Sequence, residues 1–158
     1  MTSWTEFFSA EIGATATLAG LLFVSLSINI SKILKFPTLP ALAAQSLLVL
    51  IGSLLVLSLS LIPQPRQALG YELFVAGCCL WLLVNKSLLP TLNVPKEFRW
   101  QRMLNALQSQ AATVPVMIAG GSLILSIEGA FYWLASATLV SIALATYNSW
   151  ILLVEILR

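Results

Sequence analysis

Five long apolar runs occupy most of this chain, and they restrict its fold more than any other feature. The runs cover about residues 7–34, 41–62, 69–89, 105–127 and 131–156. Each holds about 20 residues or more, the length at which a helix crosses the hydrocarbon core of a bilayer. The sequence therefore predicts an all-α membrane protein, a bundle of about five transmembrane helices that forms one domain over residues 1–158.

Composition and helix breakers agree with this prediction. Of the residues, 59% are apolar and 9% are charged, whereas a soluble domain carries about 25% charged residues. Pro37 and Pro40 separate the first two runs, and Pro63 and Pro65 separate the second from the third. No Lys or Arg precedes the first run, so we expect it to remain as a mature helix and not to act as a cleaved signal peptide.

Lysine and arginine predict the orientation, because cytoplasmic loops are enriched in both. Seven of the eight fall on one side of the predicted bundle. These seven are Lys32, Lys35, Lys86, Lys96, Arg99, Arg102 and Arg158, and Arg66 falls on the other side. The prediction is a multi-pass protein of the inner (plasma) membrane, with its N-terminus outside and its C-terminus in the cytoplasm.

Several classes of chemistry are disfavoured by the residues that the chain lacks. Histidine and aspartate are absent, which removes the usual general base and most metal ligands. The nucleophile elbow and the glycine-rich phosphate loops are also missing. The adjacent Cys78 and Cys79 are interpreted as small residues inside a span. We expect neither an enzyme nor a cofactor or metal site.

The loop from Lys86 to Arg102 carries four cations, which are too few to suggest a nucleic-acid partner. Its main expected role is to set the topology. Anionic lipid head groups and an acidic segment of a partner protein are alternative contacts for it. Membrane lipid is therefore the first partner that the sequence predicts.

The first predicted helix has two distinct faces. At 100° per residue, one stripe lies within about 60° of a single line. It comprises Glu11, Thr15, Leu18, Leu22, Ser25, Asn29 and Lys32. The opposite face carries small residues, which let helix backbones approach closely in lipid. From this face we predict that Gly13, Ala16, Gly20 and Ser27 are helix-packing residues.

Two interpretations of the stripe remain open. It would line a pore around the axis of an oligomer, with an acidic ring at Glu11, an apolar constriction at Leu18 and Leu22, and a basic mouth at Lys32. Alternatively, the stripe is buried in the chain's own bundle, where Ser and Thr commonly bond across membrane helices. Glu11, Glu72 and Glu128 would then either converge at an outer, cation-attracting mouth or simply stabilise helix ends.

Pro115, Gly120 and Gly121 lie within the fourth run. A hinge at this point is one interpretation. Proline and glycine are also ordinary residues of membrane helices, which is the other.

The segment Trp4–Ile30 resembles the opening of a group of small uncharacterised bacterial integral membrane proteins. The residues that match the recurring pattern of this group are Phe8, Gly13, Gly20, Phe23, Val24, Ser27, Ile28 and Asn29. The resemblance implies a bacterial membrane protein, and some members are labelled modulators of a membrane protease. The order of acidic, apolar and basic residues is also similar to the pore helix of store-operated calcium channels, although the helix would run in the opposite direction.

Two functions follow as expectations. The first is a homo-oligomeric, cation-preferring channel with a path lined by the first helix. The second is a non-conducting bundle that binds and modulates another membrane protein.

Overall fold

Five helices form the protein in the computed structural model, which describes residues 2–36, 39–88 and 99–157. They are α1 (Thr2–Ile33), α2 (Leu39–Leu61), α3 (Arg66–Leu88), α4 (Arg99–Ile124) and α5 (Ala130–Leu157). No strand occurs in those ranges, so the prediction of an all-helical bundle is confirmed. Two boundaries differ from expectation: α1 begins at Thr2, before the apolar run, and α4 begins at Arg99, within a stretch expected to be polar interfacial chain.

Local chemistry explains where the helices begin and end. Pro40 lies in the first turn of α2, where a missing backbone N–H costs nothing. The turn between α4 and α5 places Ser126 and Gly129 at φ of 57° and 92°. The N–H of Ile127 donates to the carbonyl of Ser122 at 2.8 Å, the bond that closes a Schellman motif behind a left-handed residue. This motif lets α5 turn back along α4 without a long loop.

Four helices are long and apolar enough to span a membrane. Their spans are Trp4–Ile33, Leu39–Leu61, Arg66–Ser87 and Ala130–Val154. The described part of α4 does not meet the same standard, because amide side chains interrupt its apolar sequence. The chain is thus a helical bundle of a kind suited to a membrane.

The helix α2 lies at the centre and contacts all four others. α3 and α4 form the most extensive pair, and α1 lies against α2 and α5. Burial follows this arrangement: 56% of the residues in the α2 span window are buried, compared with 17% for α1. α1, the helix with two distinct faces, is therefore the least buried of the four spans.

Two apolar clusters fill opposite ends of the bundle. The Phe8 cluster includes Phe8, Leu57, Leu73 and Leu134. The Ile33 cluster includes Ile33, Leu22, Leu42, Leu50 and Leu152. Both draw side chains from α1, α2 and α5, so these three helices are held together along most of their length.

Candidate functional site

The stripe of α1 faces the chain's own helices along much of its length. Thr15 is fully buried and Leu22 is 6% exposed. The other stripe residues divide into the half-buried Glu11, Leu18 and Asn29 and the exposed Ser25 and Lys32. Most of the stripe is therefore at least partly covered by the chain itself, and the stripe becomes exposed toward Lys32.

A cluster of aromatic rings fixes the start of α1 against the start of α5. The ring centroids of Trp4 and Tyr132 lie 4.8 Å apart with their planes at 86°, an edge-to-face geometry that aromatic pairs favour. Trp4 and Phe8 also contact Phe131, at 5.9 Å and 5.7 Å. Because both helices begin at this cluster, α1 and α5 run parallel.

Buried hydroxyl groups separate the Phe8 cluster from the Ile33 cluster. Thr15 follows Phe8 by seven residues, and Thr138 follows Phe131 by the same number. Since Phe8 and Phe131 are in contact and the helices are parallel, both threonines lie about 10 Å from those rings. Ser53 and Ser141 are buried in the same interval. The bundle thus has a polar layer between two apolar ends.

Two oxygen atoms of the α1 stripe have no hydrogen-bond partner among the described residues, although both are buried. They are Glu11 Oε2 and Thr15 Oγ1, and they belong to side chains one helical turn apart. A buried polar atom without a partner costs about 1–3 kcal/mol. Water or another polar group that reached these atoms would be bound favourably.

A cleft runs between α1 and α5 on the Lys32 side of the polar layer. One part, of about 160 Å³, is lined by Asn29, Lys32 and Leu26, among others. The adjoining part, of about 220 Å³, is lined by Leu18, Leu21 and Leu50, among others. Leu22, Ser25, Ser149 and Leu153 line both parts, so the cleft is continuous. Its polar residues are concentrated toward Lys32.

The predicted helix-packing residues of α1 lie on its exposed face in the part of the chain that the structure describes. Gly13, Ala16, Gly20 and Ser27 are all exposed. A Cβ atom built on Gly13 or on Gly20 would meet nothing within 4 Å. Within the described residues this face is free, and its close contact with a helix of another chain stays a prediction.

Close backbone contact through glycine occurs instead between α3 and α4. A Cβ atom at Gly120 would lie 2.5 Å from the backbone nitrogen of Phe74 and 2.9 Å from the carbonyl oxygen of Gly70. A Cβ atom at Gly77 would lie 3.2 Å from the backbone nitrogen of Met117. Sequence reasoning missed this contact, although Gly70 and Gly77 lie seven residues apart and so share one helix face.

The structure also shows the surroundings of Pro115, Gly120 and Gly121, where a hinge in α4 was one interpretation. The helix continues through Pro115 and past Gly120 to Ile124. Gly120 is buried against α3, while a Cβ at Gly121 would meet nothing within 4 Å. The two adjacent glycines therefore differ in role, and Gly120 serves close contact.

Polar groups of α4 are bonded to α3 and α2 through the amide side chain of Gln110 and the backbone carbonyl of Asn105. Trp81 Nε1 donates to Gln110 Oε1 at 2.7 Å. Gln45 Nε2 of α2 donates to the carbonyl of Asn105 at 2.9 Å. On the other side of α2, Asn148 Nδ2 of α5 donates to Ser46 Oγ at 3.1 Å in a fully buried contact. These bonds link helices, as the structural interpretation of such residues requires.

The three glutamates expected at an outer mouth have different surroundings. Glu72 is exposed and accepts a hydrogen bond from Gln64 Nε2 at 2.8 Å. Glu128 is exposed in the turn between α4 and α5, and Glu11 is half-buried beneath the aromatic cluster. Among the described side chains, no hydrogen bond joins one of these glutamates to another. A shared acidic mouth stays a prediction.

Comparison with known proteins gives no assignment: no family model, no curated protein and no solved structure matches this chain. Inferences about function therefore rest on the residues and on their arrangement.

Proposed function

We propose that all five helices cross the plasma membrane of a bacterium, α4 included. One of the amides that lower the hydropathy of α4, that of Gln110, is bonded to Trp81 of α3. In addition, Gly70 and Gly120 bring α3 and α4 together near one end, and Gln110 approaches Asn85 near the other. A helix that runs antiparallel beside the spanning α3 over this length occupies the same membrane depth.

The proposed orientation has the N-terminus outside and the C-terminus in the cytoplasm. Five spans place the termini on opposite sides. Lys32 and Lys35 at the end of α1 and Lys86 at the end of α3 lie on the side assigned to the cytoplasm, and Arg66 lies on the other. This excess on one side follows the positive-inside rule.

Labelling of single cysteines tests the orientation. Thr2→Cys and Asn93→Cys, each with Cys78 and Cys79 replaced, are treated with a membrane-impermeant thiol reagent in intact cells. Thr2→Cys is expected to react, and Asn93→Cys is expected to react only after the membrane is opened. Reaction at position 93 but not at position 2 in intact cells would reverse the assignment.

For the function, we propose a non-conducting membrane bundle that binds a helix of another membrane protein through the small face of α1 and modulates that protein. The observation that carries this proposal is the open space over Gly13 and Gly20 on the exposed face of α1. In lipid, where apolar burial gives little drive to association, small residues let two helices make close contact. The label of protease modulator in the group that α1 resembles fits such a role.

The rest of α1 is consistent with a binding helix. Its other side is already held by the aromatic cluster at Trp4 and by Leu22 and Ile33 in the Ile33 cluster. The exposed hydroxyls of Thr17 and Ser27 donate to carbonyls of their own helix, Gly13 and Phe23, so they present little polarity to lipid. The chain therefore holds α1 firmly while leaving its small face uncovered.

Crosslinking in the native membrane tests this proposal. Gly20→Cys, without the native cysteines, is expected to give a crosslinked product with a membrane protein. Gly121→Cys is the matched control, because Gly121 also has open space around it but lies on α4. A product of twice the chain mass would mean that this face binds a second copy of the chain, which would contradict binding of another protein. Crosslinking at position 20 that does not exceed the level at position 121 would contradict the proposal.

A channel lined by α1 is the second candidate, and one observation favours it. The unpartnered oxygens of Glu11 and Thr15 lie on the α1 stripe, followed toward Lys32 by Leu18 and Leu22. This is the order of a cation-attracting entrance and an apolar constriction. Such a path would need the contacts of α1 with α5 to open, or several copies to rearrange around α1.

Measurement of ion flux into liposomes that contain the protein tests the channel hypothesis. Leu22→Ser should raise the flux by making the constriction easier to wet, and Glu11→Gln should lower any preference for cations. Leu55→Ser is the control, because Leu55 is an exposed leucine of α2. No flux from the wild type or from Leu22→Ser, with both proteins folded, would exclude the channel.

A further inference from the structure

The cleft between α1 and α5 has the polarity of a lipid molecule. Its Lys32 end carries an ammonium group, the amide of Asn29 and the hydroxyls of Ser25 and Ser149. Its other end is lined mainly by leucines, with Leu18, Leu21 and Leu50 among them. A long apolar trough that ends in a cation matches an amphiphile with an acyl chain and an anionic head group.

The length of the cleft matches one leaflet. Lys32 lies in the last turn of α1, and Leu18 lies 14 residues earlier. At 1.5 Å per residue this separation is about 21 Å. Half the hydrocarbon core of a bilayer is about 15 Å, to which the head-group layer adds several ångströms. The cleft thus extends from the membrane surface to about the middle of the bilayer.

The charge of the residues that line the cleft favours lipids with an anionic head group. Among the side chains that the structure describes, no acidic residue lines the cleft, and Lys32 is the only lysine or arginine that does. The side chain of Lys32 is exposed, so its three donors are available to a phosphate group. Basic pockets between membrane helices bind anionic head groups for this reason.

We propose that this cleft binds one anionic phospholipid of the bilayer, with an acyl chain against the leucines and the head-group phosphate on Lys32. The lipid comes from the leaflet at the Lys32 end of α1. The site lies within a single chain, on the opposite side of α1 from Gly13 and Gly20, so it does not depend on the proposed binding of another protein. A bound lipid would fill the space between α1 and α5.

Native mass spectrometry of the purified full-length protein tests the site. The protein in mild detergent is titrated with phosphatidylglycerol, with phosphatidylcholine or with oleate. The expected result is preferential retention of one phosphatidylglycerol. Lys32→Gln should weaken this retention about fivefold, the factor that one lysine near the membrane surface contributes. Lys35→Gln is the matched control, since Lys35 is exposed nearby but does not line the cleft.

The region that the two parts of the cleft share has its own variant. Ser149→Phe would fill the space that both parts share and should displace the lipid, whereas Ser58→Phe, at an exposed serine of α2, should not. Circular dichroism and thermal unfolding confirm that each variant is folded. Equal retention of the two phospholipids, equal losses in Lys32→Gln and Lys35→Gln, or a preference for oleate over phosphatidylglycerol would overturn the proposal.

Discussion

Two helical regions of this molecule use glycine in opposite ways. Between α3 and α4, Gly70 and Gly120 allow the two backbones to come so close that a Cβ at Gly120 would collide with the backbone of Phe74. On α1, Gly13 and Gly20 have open space around them. One region is a completed contact within the chain. The other is an exposed face, and in the proposed function it contacts a helix of another protein.

The polar residues of the two regions differ in the same way. Gln110 of α4 is bonded to Trp81 of α3, so its amide joins two helices. Asn29 of α1 donates to the carbonyl of Ser25 in its own helix. The amide of Gln110 thus stabilises a specific helix pair, whereas the amide of Asn29 is satisfied within its own helix. A small or polar residue in a membrane helix thus indicates a contact but does not show which chain provides the other side of it.

The largest effect is expected from adding a single methyl group at Gly120. Gly120→Ala places a Cβ within 2.5 Å of a backbone atom of Phe74, which cannot move aside as a flexible side chain can. Overpacking of this kind costs about 1–3 kcal/mol, and we expect a value near the upper limit. Reversible unfolding in detergent micelles measures it.

Replacement of a glycine by alanine on α1 should have the opposite effect on stability. Gly20→Ala meets no neighbouring atom and exchanges glycine for a better helix former, so stability should rise by up to about 1 kcal/mol. Gly121→Ala, on the same helix as Gly120, should behave like Gly20→Ala. If Gly120→Ala and Gly20→Ala had equal effects, the distinction between the two regions would fail.

The fold was largely predictable from the sequence. Apolar runs of membrane-spanning length, separated by Pro37, Pro40, Pro63 and Pro65, located five helices to within a few residues at most boundaries. The prediction of helices from apolar runs succeeds because a bilayer requires each span to satisfy its own backbone hydrogen bonds. The prediction is wrong at the start of α4, because this helix begins at Arg99, before its apolar run. Polar residues mark where a span is expected to leave the membrane, but a helix can extend beyond that point.

The candidate site was less predictable. Periodicity divided α1 into two faces, but it could not say which face the chain's own helices cover. That choice depends on long-range contacts, such as those of Trp4 with Tyr132 and Phe131. The cleft beside Lys32 requires Ser149 and Leu153 of α5, which lie more than 100 residues away along the chain. The spacing of residues within α1 does not indicate which residues of α5 will lie beside them.

An intermediate effect is expected from adding bulk to the small face of α1. Gly20→Leu should not lower the unfolding free energy of the single chain, because its Cβ meets no neighbouring atom and leucine is a better helix former than glycine. It should weaken binding of the partner roughly tenfold, since small residues are what permits close approach in lipid. The yield of the crosslink from Ala16→Cys, with and without Gly20→Leu, measures the loss.

Gly121→Leu is the matched control for this variant, and it should leave the crosslink unchanged. If Gly20→Leu unfolded the chain, then α1 would be held by contacts through this face within the bundle. If it left the yield of the crosslink unchanged, the small face would not be the binding surface.

The smallest effect should distinguish the amides of the two regions. Gln110→Leu leaves Trp81 Nε1 without its acceptor, and hydrogen bonds between membrane helices contribute about 0.6 kcal/mol on average. Asn29→Leu removes only a bond to the helix's own backbone at Ser25, so its unfolding free energy in a neutral detergent should change by less. Equilibrium unfolding of the two variants under one condition gives the comparison. A cost for Asn29→Leu equal to or greater than that for Gln110→Leu would mean that Asn29 bonds across helices as well, and the contrast between α1 and the α3–α4 pair would then be confined to their glycines.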